Sequence, residues 1–502
     1  MREKRLIAAG VAGAAVAAFG ASLAGTFQFD DLALLSDPGI TSPGGWVDCF
    51  RLIQTRPLTW FTFWANYQLA GEHAAVWHAV NLALHVAVAL LLWDVLRRLI
   101  APNAAVLATL IFAVHPMLAE PVNYIFARAT LLAALFSLLA VRSWIADRAW
   151  PAVGWFTAAM LAKEEVAAVP VFLILLNLSR RRALPLAPLG AMFGVALAFG
   201  LRVVWATTVV PGAPAGAQAG ISPLAYFAVQ GVAIWRYLRM LVVPWGFTVD
   251  VELARPAPWL AAVAWVGIAA ACVAAGRSFR DLRAGFWALG GLVLLLPSSS
   301  VFPAQDLAAD RRLYLPMLAL SAAVALVAIR FDRHVLAGAL LALMAISVRY
   351  SLVWRTPEGL WSEAKLRAPG KIRPRLQLAR ALPPEPALRE LAEAQRIAPA
   401  DPAIAAEQGR VLLTAGRPAE ALAAFGRALA LDPTDARALN NRGTALAALG
   451  QMSAARADFE RALERDPCLF DARVNLKRLG FGDVEPAGWC RYTPAERAEL
   501  ER

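Results

Sequence analysis

Apolar runs separated by short polar turns fill the first two thirds of this chain. The first, 6–23, is 18 residues long and follows Met1-Arg2-Glu3-Lys4-Arg5. A secretory leader has the same outline, but this run is longer than a usual leader core and many more follow. It is therefore read as an uncleaved first span with its N-terminus inside. A polar, aromatic segment over 26–73 comes next, too long for a tight connection and so expected to be a functional loop outside the cytoplasm. Further spans are expected at 74–93, closed by Arg97-Arg98, and at 104–114 and 122–141, joined by a short turn at His115-Pro116. Two short runs, 150–162 and 166–178, flank Lys163-Glu164-Glu165. Counting them as two spans keeps Arg148 and Arg180-Arg181-Arg182 on one side, as positive-inside topology prefers. The runs 186–204, 259–275, 286–297, 313–329 and 335–348 complete eleven expected spans. The stretch 222–245 is apolar but carries Arg236 and Arg239 near its middle. Each would cost about 2.5–3.5 kcal/mol in a simple span, so a helix lying at the outer surface is expected there. An odd count starting inside ends outside.

Beyond residue 354 the period changes. Gly409, Ala421, Phe425, Ala428 and Pro433 recur 34 residues later as Gly443, Ala455, Phe459, Ala462 and Pro467. This is the spacing of tetratricopeptide (TPR) repeats, in which small residues let paired helices approach and the proline ends the second helix. Repeats are expected at 402–435 and 436–469. A degenerate copy at 368–401 keeps Ala387, Leu391, Ala394 and Pro399 but has Arg375 where the small residue belongs. A capping helix is expected over 469–479. The fold class is thus all-α: a polytopic helical membrane domain, 1–354, followed by a TPR α-solenoid, 355–502.

Composition agrees: 59% of residues are hydrophobic and 17% charged, against about 45–50% and about 25% in soluble domains. The net charge of +12 would raise nucleic acid as a partner in a soluble protein. Here most arginine clusters lie in turns between apolar runs, so topology explains them and no nucleic-acid partner is expected. The four cysteines form no CxxC, which suggests neither a zinc site nor a redox motif. Cys468 and Cys490 pair if their region lies outside the cytoplasm and otherwise stay as thiols.

Several polar groups sit where membrane stability gives no reason for them, and ionisable groups there default to functional candidates. Asp30 and Asp31 follow the first span. His78, Asn81 and His85 share one helix face, His115 and Glu120 flank a turn, Arg128 lies within a span, and Lys163 and Glu164 stand between two runs. The His/Asn face also suits simple hydrogen bonding between helices. Arg128 suits either a phosphate, which its guanidinium fork binds bidentately, or neutralisation of Glu120 or Glu164. No spacing is diagnostic of a metal.

These residues fall into an ordered set of motifs: Phe29-Asp30-Asp31, Arg56-Pro57-Leu58, Trp77-His78-Ala79-Val80-Asn81-Leu82-Ala83-Leu84-His85, His115-Pro116-Met117-Leu118-Ala119-Glu120, Ala127-Arg128-Ala129-Thr130-Leu131-Leu132, Leu161-Ala162-Lys163-Glu164 and Arg311-Arg312-Leu313-Tyr314-Leu315-Pro316. The set resembles the transmembrane and TPR repeat-containing O-mannosyltransferase family, of the GT-C class of membrane glycosyltransferases. It covers most of 25–320, and the repeat tail fits the family layout. The family usually has an acidic residue where Thr130 stands, and its animal members have longer repeat tails. The resemblance implies sugar transfer from a polyprenyl-phosphate-linked donor to a protein or glycan hydroxyl, outside the cytoplasm. A carboxylate at Asp30 or Asp31 would then act as the base; Asp31 is placed ahead because it lies one residue further from the first span, and an ordinary aspartate is already ionised at neutral pH. The resemblance further implies Arg128, Lys163 and Arg311 as phosphate holders, and His115, Glu120, Glu164, His78, Asn81 and His85 as orienting groups. The TPR tail would engage the acceptor, and a divalent cation is left open. Two other readings compete: a lipid-linked glycan ligase or polymerase, and a non-catalytic scaffold presenting the repeats.

Overall fold

The computed structural model describes residues 2–209, 215–481 and 486–501. These residues are helical apart from turns, extended links and one isolated antiparallel bridge between Ala215 and Ala304. Two compact units emerge: Met1–Asp31 with Gly44–Thr356, and Leu32–Pro43 with Pro357–Arg502.

In the first unit, prolines set many helix starts. Pro57, Pro102, Pro223 and Pro258 each occupy a first-turn position, where the missing N–H would be unpaired anyway. Among the described residues, seven helices are long and apolar enough to cross a membrane: Arg2–Ala24, Ala74–Leu96, Ile125–Ile145, Leu186–Val209, Pro258–Gly276, Asp310–Ala328 and Arg333–Val353. They match seven of the eleven expected spans. The expected span at 104–114 ends at His115, because Pro116 pushes the preceding residue out of the α region. Its φ and ψ are −73° and 127°. Pro102–Val114 and Pro116–Asn123 form a pair bent by 51°. The turn after it is longer than expected, so the next long helix runs from Arg128 to Ile145 rather than from 122. The runs 150–162, 166–178 and 286–297 form the helices Ala149–Ala162, Val169–Ser179 and Ala284–Leu295, of 14, 11 and 12 residues. At 1.5 Å per residue these reach about 16–21 Å, short of a hydrocarbon core of about 30 Å. The stretch 222–245 is a 20-residue helix, Pro223–Val242, outside the seven. Arg236 on it pairs with Asp310 at 2.6 Å.

Ion pairs bring the basic turns together. Arg142 meets Asp94, which also holds Arg97 and Arg98; Arg182 meets Asp147; and Ser179 donates to the Phe279 carbonyl. The helices 149–162 and 169–179 thus run out and back, with Asp147 beside Arg182 at their shared end. Lys163, Glu164 and Glu165 occupy the other end.

In the second unit, Gly409 and Gly443 explain the 34-residue period physically. A Cβ there would lie 2.6 Å from Phe425 and 2.7 Å from Phe459, so only glycine lets each helix seat the next one's aromatic ring. Asp401 and Asp435 cap their helices through backbone N–H groups. In the degenerate copy, Arg375 pairs with Glu390 at 2.9 Å instead of making room for a ring. The helix Phe470–Arg478 places Ala472 and Leu476 in the same core as Phe459, closing the last repeat. Cys468 and Cys490 are joined by a disulfide.

Candidate active site

The first helix ends at Ala24, and the chain then makes a tight turn. Phe29 takes a left-handed conformation, φ 47°, uncommon for a large residue. The turn is held closed by Asp31. Its carboxylate accepts the Gln28 backbone N–H at 3.0 Å and the Phe126 backbone N–H at 2.7 Å, and Gln28 donates to the Trp354 carbonyl at 3.3 Å. Asp31 is fully buried. Burial pushes its carboxyl up to about 8, against the pull of the amide donors. It is therefore not the ordinarily ionised surface aspartate expected from sequence. Asp30 is partly exposed and accepts the Tyr124 hydroxyl at 2.7 Å.

Four of the expected groups lie in the core. Arg128 is fully buried, and its guanidinium donates to the Asn81 and Asn66 side chains at 2.9 and 2.8 Å and to the Thr62 and Trp77 carbonyls at 3.2 Å. It stacks near Phe63 and Trp77. Asn81 also donates to the Tyr124 carbonyl. His85 bridges the Tyr314 hydroxyl and the Ala113 carbonyl. His78 is buried against Gly25, where an added Cβ would lie 3.0 Å from its ring. These contacts join helices. His115 joins them too, through the Leu241 carbonyl and the Met117 N–H.

The remaining charges sit at the end of the bundle away from the basic turns. Glu120 accepts from the Arg311 backbone and guanidinium at 3.0 and 2.8 Å, and Arg311 also pairs with Asp306 at 3.0 Å. Arg56 grips Glu164 through two hydrogen bonds at 2.5 and 3.0 Å. Burial alone would raise the Glu164 carboxyl, but Arg56 outweighs it and holds it down to about 2. Lys163 pairs with Glu165 at 2.7 Å and donates to Thr130 at 2.9 Å; burial lowers its pKa. Thr130 thus meets Lys163 with a hydroxyl, and Glu165 supplies the carboxylate to the same lysine. Arg56 feels the charge of Arg311 and of Glu165, so these pairs form one electrostatic cluster. Its two guanidiniums stay accessible, with side-chain exposures of 30% for Arg56 and 29% for Arg311.

Arg56, Tyr124 and Asp306 carry no role in the sequence, and Glu165 stands there only as the end of the candidate run Lys163-Glu164-Glu165, with no role of its own. Arg56 opens the Arg56-Pro57-Leu58 motif, a signal that could have drawn attention. Tyr124 and Asp306 offer none. Among the described residues, no group of three His, Cys, Asp or Glu is placed to hold a metal ion.

A tetratricopeptide repeat family model matches residues 406–467. The chain is similar to the protein O-mannosyl-transferase TMTC4 of Mus musculus, at 43% identity over 99 residues, and to that of Homo sapiens, at 38% over 158. It is also similar to human TMTC1, at 35% over 155 residues. These matches cover 17, 26 and 27% of this chain, but only 13, 21 and 18% of the relatives, so the chain spans about a fifth or less of their length. Among solved structures, ArnT from Cupriavidus metallidurans, bound to undecaprenyl phosphate, aligns with 17% identity and a TM-score of 0.40, over 85% of this chain and 79% of that one. The chain is a helical multi-pass membrane protein with a C-terminal tetratricopeptide module, and over about a quarter of its length it is similar in sequence to the protein O-mannosyl-transferases TMTC4 and TMTC1.

Proposed function

We propose that this chain is a GT-C-type membrane glycosyltransferase that moves a sugar from a polyprenyl-phosphate-linked donor to an acceptor hydroxyl of a protein or glycan. The observation that carries this reading is a partly exposed cation close to a partly exposed carboxylate: Arg311 acts electrostatically on Tyr124, which holds Asp30, and Arg56 in turn feels the charge of Arg311. Arg311 and Arg56 hold the donor phosphate and offset the charge that develops on it as it leaves. Asp30 takes the acceptor proton while the hydroxyl oxygen bonds to the sugar carbon, and Tyr124 fixes its orientation. Asp31, Arg128, Asn81, His78, His85 and His115 position these groups. Glu120, Glu164 and Lys163 set the direction and charge of the two guanidiniums and their neighbourhood.

The site faces outside the cytoplasm in this proposal. The basic turns gather at the opposite end, which positive-inside topology puts in the cytoplasm together with the N-terminus. The last membrane helix starts at Arg333 and ends with Trp354 beside Gln28, at the end that carries Asp30. The repeats are then extracytoplasmic, where the Cys468–Cys490 disulfide persists, and they capture the acceptor.

The test uses the full chain in liposomes with a radiolabelled polyprenyl-phosphate sugar and a serine/threonine peptide. Wild type transfers label, and Asp30→Asn lowers transfer about 10²–10⁴-fold at unchanged yield. Normal transfer by Asp30→Asn overturns the base assignment. A wild type that neither transfers sugar nor consumes the donor overturns the function.

A further inference from the structure

Between the turn carrying Asp30 and the site residue Arg56 lies a strap, 44–54, with an unusual surface. The 3₁₀ helix Pro43–Phe50 buries Gly45 and Cys49 and turns its larger side chains outward. Trp46, Val47, Phe50, Leu52 and Ile53 are all exposed, Leu52 by 74% and Val47 by 57%. At three residues per turn, Val47 and Phe50 fall on one edge. Five large apolar groups exposed within eight residues are far more than scattered surface hydrophobics. The charges of the strap, Asp48 and Arg51, pair with each other at 2.8 Å.

The strap is fastened to a membrane helix. Arg202, on Leu186–Val209, donates to the carbonyls of Leu52 at 2.8 Å, Arg51 at 2.9 Å and Gln54 at 2.5 Å. That helix exposes Leu197, Leu201, Val204 and Trp205 around Arg202, as a lipid-facing helix does. The exposed groups of the strap therefore continue an apolar surface that already belongs to the membrane. Phe50 also meets Phe61 at 6.0 Å between ring centres, which joins the strap to the aromatic helix Pro57–Ala70.

We propose that the strap 44–54 docks into the headgroup–acyl boundary of the bilayer, with Trp46, Val47, Phe50, Leu52 and Ile53 entering the leaflet next to the site. Aromatic and aliphatic groups beside an arginine are the residue types that settle at this depth. Arg202 fixes the strap against its helix, and the clamp ends at Gln54, two residues before Arg56. The height of the leaflet thus sets the height of the guanidinium that grips Glu164. The docking itself does not depend on the transfer reaction, so its failure and that of the transferase reading are separate results.

The experiment is spin-label collision in liposomes of zwitterionic and anionic phospholipid. Single reactive cysteines are introduced into the full chain as Val47→Cys and Leu52→Cys, in a Cys49→Ala, Cys272→Ala background that keeps the Cys468–Cys490 disulfide. Leu197→Cys is the lipid reference and the exposed Glu72→Cys the comparison site. Docking predicts that labels at 47 and 52 meet oxygen readily and a water-soluble nickel chelate poorly, with a ratio several-fold above that at 72 and approaching that at 197. Nickel access equal to that at 72 overturns the proposal. Shielding from both reagents also overturns it, because a protein would then cover the strap. Adding Arg202→Gln should loosen the label at 52 and leave the label at 72 unchanged. Unchanged mobility at 52 removes the clamp from the proposal.

Discussion

Glu120 receives both the backbone N–H and the guanidinium of Arg311, a residue 191 positions later in the chain. The carboxylate is 1% exposed and the arginine 29%. Removing one partner of a fully buried pair costs about 3–5 kcal/mol, and the partial exposure of Arg311 keeps this case toward the low end. Glu120→Ala should lower the melting temperature of the detergent-solubilised protein clearly. Asp306→Asn should lower it less, since Asp306 is 24% exposed. Equal melting of all three proteins contradicts this.

The buried carboxyl of Asp31 gives a pH signature. It titrates at about 8 in the folded chain and at about 3.9 when unfolded. Between those values the folded state holds a proton that the unfolded state lacks, so stability is greatest in acid and falls as the pH rises through about 8. Melting curves between about pH 5 and 9 should show that fall in wild type and a flatter profile in Asp31→Asn. Parallel profiles argue against a buried, raised carboxyl.

Gly409→Ala tests the repeat packing. Its methyl would lie 2.6 Å from the Phe425 ring, and overpacking of this kind costs about 1–3 kcal/mol. Gly426→Ala, on the next helix, meets nothing within 4 Å. It should be neutral or stabilise by up to about 1 kcal/mol. Chemical denaturation followed on the repeats should show a loss of stability for Gly409→Ala and none for Gly426→Ala.

The disulfide closes a loop of 22 residues. The loop-entropy account assigns it about 3 kcal/mol. Cys468→Ser with Cys490→Ser should lower the midpoint of repeat unfolding accordingly. In protein prepared without reductant, neither thiol should react with maleimide until a reducing agent is added. Immediate modification at both positions would mean that the tail matures in a reducing compartment.

The repeats were legible because their key contact, glycine against phenylalanine, lies within one period of the chain. Helix starts were legible through proline. The length of the apolar helices was less so: the turn at His115-Pro116 was expected, but hydropathy does not show that it runs on to Arg128 rather than ending at 122. The sequence ranked Asp31 ahead of Asp30 only by its distance from the first span, because adjacency says nothing about which carboxylate meets the Phe126 amide. For Arg128 a phosphate and a buried acid stayed equally open, because its partners, two asparagines and two backbone carbonyls, are a set that only the folded chain assembles. The cluster of Arg56, Glu164 and Arg311 draws on three distant segments, and no local pattern joins them.

Arg128 and Glu120 also differ in when they can be satisfied. Every acceptor of Arg128, from Thr62 to Asn81, precedes it in the chain. As the ribosome delivers this arginine to the membrane, its whole set of partners has already been synthesised, and the early helices can close around it without waiting. Glu120 must wait for Arg311. Within the membrane unit the partners of Arg128 thus become available before that of Glu120, whose acidic group stays open until the late helices arrive.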